Sequence, residues 1–178
     1  MDLRTAVAVD APAIAALVNS AYRGEGSKRG WTTEADILGG QRTDIEQVLE
    51  MIQAVGSRIE LARDNDGSLA GCVHLRKESA DSCYLGMLTV DPARQARGLG
   101  KRLLSHCEDI ARRWGCARMR MTVIAGREEL LRFYERRGYV RTGNTEPFPG
   151  HDPRFGIPNV KGLRFVELAK ALGPGLRP

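Results

Sequence analysis

Gln95-Ala96-Arg97-Gly98-Leu99-Gly100 lies between an apolar run typical of a strand, Leu85 to Val90, and an amphipathic run typical of a helix, Leu99 to Trp114. Glycines let the chain turn sharply and bring a ligand close to the backbone. The first amides of a helix have no intrahelical partner and lie at the positive end of the helix dipole. The stretch therefore predicts a binding site for a phosphate or pyrophosphate.

The spacing of these glycines matches neither of two common phosphate-binding loops. Arg102 follows Gly100-Lys101 where a P-loop has Ser or Thr, and Leu103 stands where G-x-G-x-x-G has its third glycine. The remaining pattern is Q-x-x-G-x-G. Basic side chains surround it, at Arg94, Arg97, Lys101 and Arg102.

A second motif follows about thirty residues later, where residues 130–139 read Leu-Leu-Arg-Phe-Tyr-Glu-Arg-Arg-Gly-Tyr. Together with Leu88-Thr89-Val90-Asp91-Pro92 and Q-x-x-G-x-G, it resembles the signature motifs of the GNAT superfamily of N-acetyltransferases in order and separation. The motifs lie within residues 84–139, about a third of the chain. The resemblance implies acetyl-CoA as cosubstrate, no metal ion, and transfer of acetyl to a primary amine by direct attack.

The apolar pattern predicts one domain over residues 1–172 and a tail at 173–178, with elements in the order β-α-α-β-β-β-α-β-α-β-β. The resemblance implies an α/β fold of the α+β type. Its mixed, mostly antiparallel central sheet has about six or seven strands, with about four flanking helices. The central strands, here Leu85–Val90 and Met119–Ile124, are expected to splay apart and admit the pantetheine arm of the cofactor.

Local signals place several individual elements. Arg4–Val9 reads as a first strand, and Asp10 is predicted to cap the helix that follows. Thr43 and Glu46 form a capping box that predicts the start of a second helix. Asp64-Asn65-Asp66-Gly67 predicts a hairpin turn between two strand-like runs.

The resemblance assigns roles to single residues. Tyr134 falls on the tyrosine that lies near the cofactor sulfur and is the implied general acid for the leaving thiolate. A phenol, with an ordinary pKa of about 10, stays protonated at neutral pH, as this role requires. The implied cofactor-binding residues are Leu88, Thr89, Val90, Gln95, Ala96, Arg97, Gly98, Leu99, Gly100, Lys101 and Arg127.

The sequence departs from the family pattern at two places. Arg127 stands where members often carry Asn, and its implied contact is with a cofactor phosphate. Tyr84-Leu85-Gly86 stands where members with an obvious catalytic carboxylate often place it. Four candidates for the general base stay open, namely a water relay, His74, Glu60 and Glu34.

The formal net charge of +5 is unevenly distributed. Residues 94–141 hold 13 Arg and Lys against 5 Asp and Glu, a balance of +8, and the rest hold 14 against 17, a balance of −3. Nucleic acid is one interpretation of a basic half. Because the charges cluster around the phosphate turn and aromatics are scarce there, CoA explains them better, and no nucleic-acid partner is expected. A solvated surface accounts for Arg112, Arg113, Arg136 and Arg137.

The cysteines Cys72, Cys83, Cys107 and Cys116 show no C-x-x-C spacing, and free thiols are expected. Cys72 and His74 share one face of a predicted strand, where ordinary core or site-lining residues are expected rather than a metal-ligand pair. The apolar stretches are too short to span a bilayer, and the N-terminus lacks the features of a signal peptide. The predicted location is the cytoplasm, with no membrane partner.

An acceptor pocket is predicted between two long segments, Arg23–Arg42 and Gly143–Gly162. A small-molecule or peptide amine is expected, and one bearing a carboxylate is favoured because arginine suits carboxylates. A homodimer interface is the alternative role for the segments, and a non-catalytic acyl-CoA-binding regulatory module is the alternative function. The polar and aromatic residues of the segments are Arg29, Trp31, Glu34, Asp36, Arg42, Phe148 and His151.

Overall fold

The computed structural model describes residues 2–95 and 97–173. Within them, seven strands form one sheet, β1 (Asp2–Thr5), β3 (Ser57–Arg63), β4 (Leu69–Lys77), β5 (Ser82–Val90), β6 (Arg118–Ile124), β7 (Val140–Pro147) and β9 (Arg164–Ala171). Two short strands pair separately, β2 (Leu38–Gly39) and β8 (Ile157–Pro158). The helices are α1 (Ala11–Tyr22), α2 (Gly24–Ser27), α3 (Ile45–Gln53), α4 (Leu99–Arg113) and α5 (Glu128–Glu135).

The large sheet has the order β1-β3-β4-β5-β6-β9-β7, and every neighbouring pair except β5 and β6 is antiparallel. One apolar core packs α1 and α3 against the sheet, and a second packs α4 and α5 against it. The predicted fold class is confirmed, with α2 as a fifth, four-residue helix.

The central strands splay as predicted. β5 and β6 pair only from Ser82 with Arg118 to Tyr84 with Arg120. Beyond Tyr84, β5 follows β4 as far as Val90, whereas β6 follows β9, and the two strands separate. A register shift in the pairing of β4 with β5, opposite Val73, and a φ of +53° at Met87 mark a bulge in β5. The bulge interrupts the hydrogen-bond ladder between β4 and β5 at the level of the gap.

Asp10 occupies the N-cap position of α1 as predicted, but its side chain does not cap the helix, and the cap predicted at Thr43 is wrong. The Asp10 carboxylate accepts hydrogen bonds from Arg4 and Arg63 and from the Val7 amide, and none from the first turn of α1. The two arginines and the Val7 amide take the place of the amides of the first helical turn. The helix predicted to start near Thr43 is α3, and it is capped by Asp44, whose carboxylate accepts from the Gln47 amide at 2.8 Å.

Other boundaries show the effect of tertiary pairing. The hairpin between β3 and β4 is confirmed, with Gly67 at a φ of +81°. The first strand ends at Thr5 because a 3-10 helix follows at Ala8–Asp10. The long segment Gly143–Gly162 is not wholly irregular. It contains the end of strand β7, as far as Pro147, and then contributes β8.

The pairing of β8 with β2 joins the two long segments that were predicted to flank an acceptor pocket. All four cysteines are buried and free. Among the helices described, none combines the length and apolar composition needed to cross a bilayer. In the described ranges no group of three His, Cys, Asp or Glu side chains could hold a metal ion. The predicted tail, beyond Gly173, lies outside the described residues, and the single-domain assignment stays a prediction.

Candidate active site

A cavity of about 360 Å³, here called the α4 cavity, opens at the N-terminus of α4. Strand β5 and helix α5 form its other walls. Seven of the residues that the sequence implied for cofactor binding line it, as does Tyr134. The seven are Leu88, Val90, Gln95, Gly98, Leu99, Gly100 and Lys101.

The turn before α4 has the geometry of an anion site. Gly98 occupies the N-cap position with a φ of +77°, a conformation that L side chains rarely adopt. A Cβ on Gly100 would lie 3.6 Å from Phe133 Cζ and 3.7 Å from Val90 Cγ2, so its absence keeps the first-turn backbone open to the cavity. Arg97 is exposed beside the turn, and Ala96 lies outside the described residues. These features fit a pyrophosphate at the helix N-terminus.

The side chain of Gln95 fastens a neighbouring segment to the edge of the α4 cavity. Its Oε1 accepts from the Trp31 amide at 3.0 Å, and its Nε2 donates to Thr32 Oγ1 at 2.9 Å and to the Val90 carbonyl at 3.2 Å. A Cβ on Gly30 would lie 2.8 Å from Gln95 Oε1, which explains the glycine there. Trp31, expected among the acceptor residues, instead packs on Phe133 with ring centroids 5.6 Å apart.

Sequence reasoning missed two basic residues of this cavity. Arg136 and Arg137, interpreted as solvated surface, both line it. The guanidinium of Arg137 lies over the Phe133 ring at 3.6 Å from the centroid, and it donates to the Phe133 carbonyl. Their position two and three residues after Tyr134 in the second motif is the signal that could have found them. Helical periodicity alone shows only that they are polar.

A second cavity, of about 380 Å³, is here called the distal cavity. Arg23, Glu34 and Arg42 line it from the first long segment, and Phe148 and Phe155 line it from the second. The structure thus brings the two predicted segments together. Arg29, Asp36 and His151 are exposed and do not belong to its lining.

A small cavity of about 60 Å³ between β5 and β6 adjoins both larger ones. It shares Leu88 and Tyr134 with the α4 cavity, and it shares Glu34, Arg42 and Thr122 with the distal cavity. The gap left by the splayed strands, here called the passage, therefore lies between the two cavities and shares lining residues with each.

Tyr134 lies where these cavities meet. Its ring is buried, with centroids 5.2 Å from Phe133 and 5.9 Å from Tyr139. Burial, and secondarily the neighbouring Tyr22 hydroxyl, raises the pKa of Tyr134 well above the ordinary value of a phenol. Its hydroxyl makes no hydrogen bond to another residue within 2–95 and 97–173. Among the described residues, no acceptor therefore receives the proton of the Tyr134 hydroxyl.

Two implied cofactor residues lie away from the α4 cavity. Thr89 is buried, and its hydroxyl donates to the Met87 carbonyl at 3.0 Å. Arg127 donates to Glu34 Oε1 at 3.1 Å and to the Thr32 carbonyl at 2.7 Å, and it lines only the small connecting cavity. The phosphate contact implied for Arg127 stays a prediction.

The three side chains open as the general base differ in position. Glu60 is buried against Arg58 and His106 and lines none of the three cavities described above. Glu34 lines two of the cavities, but its oxygens accept from Arg23 and Arg127. His74 lines the distal cavity.

The hydrogen bonds of Ser57 fix the tautomer of His74. Ser57 Oγ gives its one proton to the Met51 carbonyl at 2.6 Å, so at 2.8 Å it accepts from His74 Nε2. The neutral ring therefore carries its lone pair on Nδ1. Burial, together with Arg76, lowers the pKa of His74 to about 4.

This pKa predicts how the stability of the protein depends on pH. An unfolded His has a pKa of about 6.5, so between pH 4 and pH 6.5 the unfolded chain binds a proton that the folded chain does not. The stabilisation is complete above about pH 6.5 and is lost as the pH falls through 4, to a total of roughly 3 kcal/mol. Urea unfolding should show this decline in the wild type and a shallower one in His74→Gln. Parallel pH profiles for the two would contradict it.

Comparison with known proteins supports the same assignment. Residues 29–139 match the family described as Acetyltransferase (GNAT) family. Comparison with curated protein sequences finds no match.

Three solved structures share the fold. The Salmonella typhimurium protein yncA, solved with its cofactor acetyl-CoA, is 21% identical with a TM-score of 0.70, covering 100% of this chain and 97% of that chain. Ribosomal-protein-alanine N-acetyltransferase from Brucella melitensis is 20% identical with a TM-score of 0.70, covering 97% and 100%. Aminoglycoside 6'-N-acetyltransferase complexed with coenzyme A is 18% identical with a TM-score of 0.70, covering 100% and 99%.

The family match spans more than half of the chain and includes the turn at Gly98, the connecting gap and Tyr134. It confirms the acyltransferase predicted from the two motifs. The chain belongs to the GNAT family of acetyltransferases.

Proposed function

We propose that this chain transfers an acetyl group from acetyl-CoA to a primary amine of a small molecule or peptide by direct attack. The observation that carries the proposal is the passage between two cavities on the splayed strands, with the unengaged Tyr134 hydroxyl beside it. Acetyl-CoA supplies a thioester carbonyl and a thiolate leaving group when bound. Family membership and the neighbours that bind acetyl-CoA or CoA support this donor.

The α4 cavity holds the donor. Amides of the first turn of α4 bind the pyrophosphate, and cations at the rim neutralise the phosphates. Among these cations are Arg97 and Lys101, joined by Arg136 and Arg137. Leu88 and Val90 offer backbone groups to the pantetheine arm along the splayed part of β5. The contacts predicted for Thr89, Ala96 and Arg127 stay part of the proposal.

Two groups move the protons, Tyr134 beside the passage and His74 in the lining of the distal cavity. Tyr134 gives its phenolic proton to the departing thiolate and regains one from solvent. His74 Nδ1, or a water next to it, accepts the proton that the amine nitrogen loses as its bond to the acetyl carbon forms. A weak base is adequate at that stage, because bonding to the acetyl carbon makes the N–H acidic.

Binding of acetyl-CoA tests the donor site. We expect Gly100→Ala to raise the Kd for acetyl-CoA at least about tenfold in isothermal titration, because the methyl group enters the space that the phosphates approach. Its melting temperature should hold or rise, since Ala is favoured over Gly in a helix by about 1 kcal/mol.

Gly26→Ala is the matched control, because Gly26 lies in helix α2 with no atom within 4 Å of the added Cβ. It should leave the Kd unchanged. A wild-type Kd weaker than millimolar, or an unchanged Kd in Gly100→Ala, would contradict the site.

Turnover is measured separately, with a panel of amines, peptides and aminoglycosides and detection of the free thiol. Release of CoA that depends on one class of amine supports the proposal. Saturable binding of acetyl-CoA without turnover on any amine would favour the non-catalytic acyl-CoA-binding module instead. The cytoplasmic location and the homodimer stay predictions.

A further inference from the structure

The guanidinium of Arg42 differs from those of the other arginines in the distal cavity, because its N–H groups donate no hydrogen bond to the described residues. The side chain is 30% exposed, and it lines both the distal cavity and the passage to the α4 cavity. Its closest recorded carboxylate contact is with Glu34, where Nε and Oε2 are 4.0 Å apart, beyond hydrogen-bond distance. It donates no hydrogen bond to any residue in the described part of the chain.

The neighbouring arginines are already engaged. Arg23 and Arg127 both donate to Glu34, one to each carboxylate oxygen. Arg76 and Arg120 both bind Glu78. They also lie within cation–π distance of the Tyr84 ring. Among the described arginines that line the distal cavity, Arg42 is therefore the one with a complete set of free donors.

The structure also holds Arg42 in place. Its backbone amide donates to Asn19 Oδ1 at 2.7 Å, and its guanidinium carbon lies 5.8 Å from the centroid of the Tyr22 ring. The Tyr22 hydroxyl donates to the Leu88 carbonyl on the splayed strand. The cation is thus fixed, through Tyr22, relative to the backbone that lines the passage.

A second donor in the same wall lacks a partner. Arg23 also lines the distal cavity, its side chain is more than nine-tenths buried, and its Nε has no hydrogen-bond partner among the described residues. Aromatic and aliphatic side chains supply apolar surface in the same cavity, at Leu38, Phe148, Phe155 and Phe165.

We propose that Arg42 binds a carboxylate of the acceptor, and that the acceptor class is a small amine with a carboxylate near its amino group. The inference rests on the proposed function and names the substrate class for the same site. A guanidinium binds a carboxylate through two parallel hydrogen bonds, which fixes orientation as well as affinity. The carboxylate held by Arg42 directs the amino group toward the passage, and the apolar walls take the rest of the molecule.

The test compares amino acids with their carboxamides and their decarboxylated amines, in wild type and in Arg42→Gln. Because a hydrogen bond to a charged group contributes about 1.5–3 kcal/mol, kcat/KM in the wild type should favour the carboxylate about ten- to a hundredfold. Arg42→Gln should bring that ratio close to one, mainly by raising KM for the carboxylate-bearing acceptor. Arg42→Lys, which keeps the charge but not the fork, should give an intermediate ratio.

Arg29→Gln is the matched control, because Arg29 is an exposed arginine of the same segment outside the lining. It should keep the wild-type ratio. An unchanged ratio in Arg42→Gln, or equal wild-type rates on amines with and without the carboxylate, overturns the inference and leaves the proposed function standing. Bound acetyl-CoA with no turnover on any of these amines overturns the inference, and the proposed function falls with it only when the wider panel of peptides and aminoglycosides also gives no turnover.

Discussion

Tyr134→Phe should lower the single-turnover rate of acetyl transfer by about 10²–10⁴-fold, the contribution of a positioned general acid. The Kd for acetyl-CoA should stay the same. The change removes one hydroxyl and keeps the ring, so the contacts with Phe133 and Tyr139 persist. Burial raises the pKa of Tyr134, which keeps the phenol protonated until a thiolate forms beside it. Loss should appear equally in kcat and kcat/KM if the interaction exists only in the transition state.

Tyr139→Phe is the control for this experiment. Tyr139 is equally buried, but its hydroxyl donates to Glu108 at 3.1 Å in the core and lines neither large cavity. Its loss should cost about 1.5–3 kcal/mol of stability, because the acceptor is a carboxylate, and should leave the rate unchanged. A wild-type single-turnover rate in Tyr134→Phe would show that water protonates the thiolate and that Tyr134 only packs.

Glu34→Ala should lower the free energy of unfolding by about 3–5 kcal/mol, the usual effect of removing one partner of a buried ion pair. Glu34 and Arg23 are both buried and paired, and burial lowers the pKa of the Arg23 guanidinium. Without the carboxylate, Arg23 keeps a buried charge whose remaining protein contacts are backbone carbonyls. Arg127 loses the same partner. Urea unfolding at constant pH measures the difference.

Glu146→Ala is the matched control, because Glu146 is an exposed carboxylate of the same cavity. Its replacement should change the free energy of unfolding by less than about 0.5 kcal/mol. Glu34→Gln should fall between the two, since the amide oxygen still accepts a hydrogen bond. A loss below about 1 kcal/mol in Glu34→Ala would contradict the assignment of this ion pair as structural.

The fold could be predicted where local signals and tertiary contacts agree. The turn at Gly98 and the hairpin at Asp64–Gly67 are such places, because a positive φ or a tight turn limits the residue types allowed. Asp10 occupies the predicted N-cap position, but its carboxylate does not bond to the helix amides, partly because it binds Arg63, 53 residues away, which no local rule detects. Thr43 was wrong because the adjacent Asp44 offers a stronger acceptor to the same turn.

The candidate site was predictable to the extent that a motif names its residues. Seven cofactor positions and Tyr134 line the α4 cavity. Trp31 was predicted among the acceptor residues but lies at the α4 cavity. Its position depends on the hydrogen bond from its amide to Gln95, 64 residues away. Whether Arg42 is free or paired could not be read from its neighbours in sequence, since that depends on how Arg23 and Arg127 share Glu34.

The four residues from Trp31 to Glu34 link the sites proposed for the two ligands, acetyl-CoA and the acceptor amine. Trp31 and Thr32 form part of the α4 cavity, and Glu34 forms part of the distal cavity, so one short stretch of backbone serves two walls. A ligand that shifts this stretch from one cavity changes the affinity of the other cavity for its ligand, and linkage makes such a coupling free energy equal in both directions. We therefore expect the affinity for the amine to differ between the empty and the donor-loaded protein, and the affinity for the donor to change by the same factor when the amine is bound.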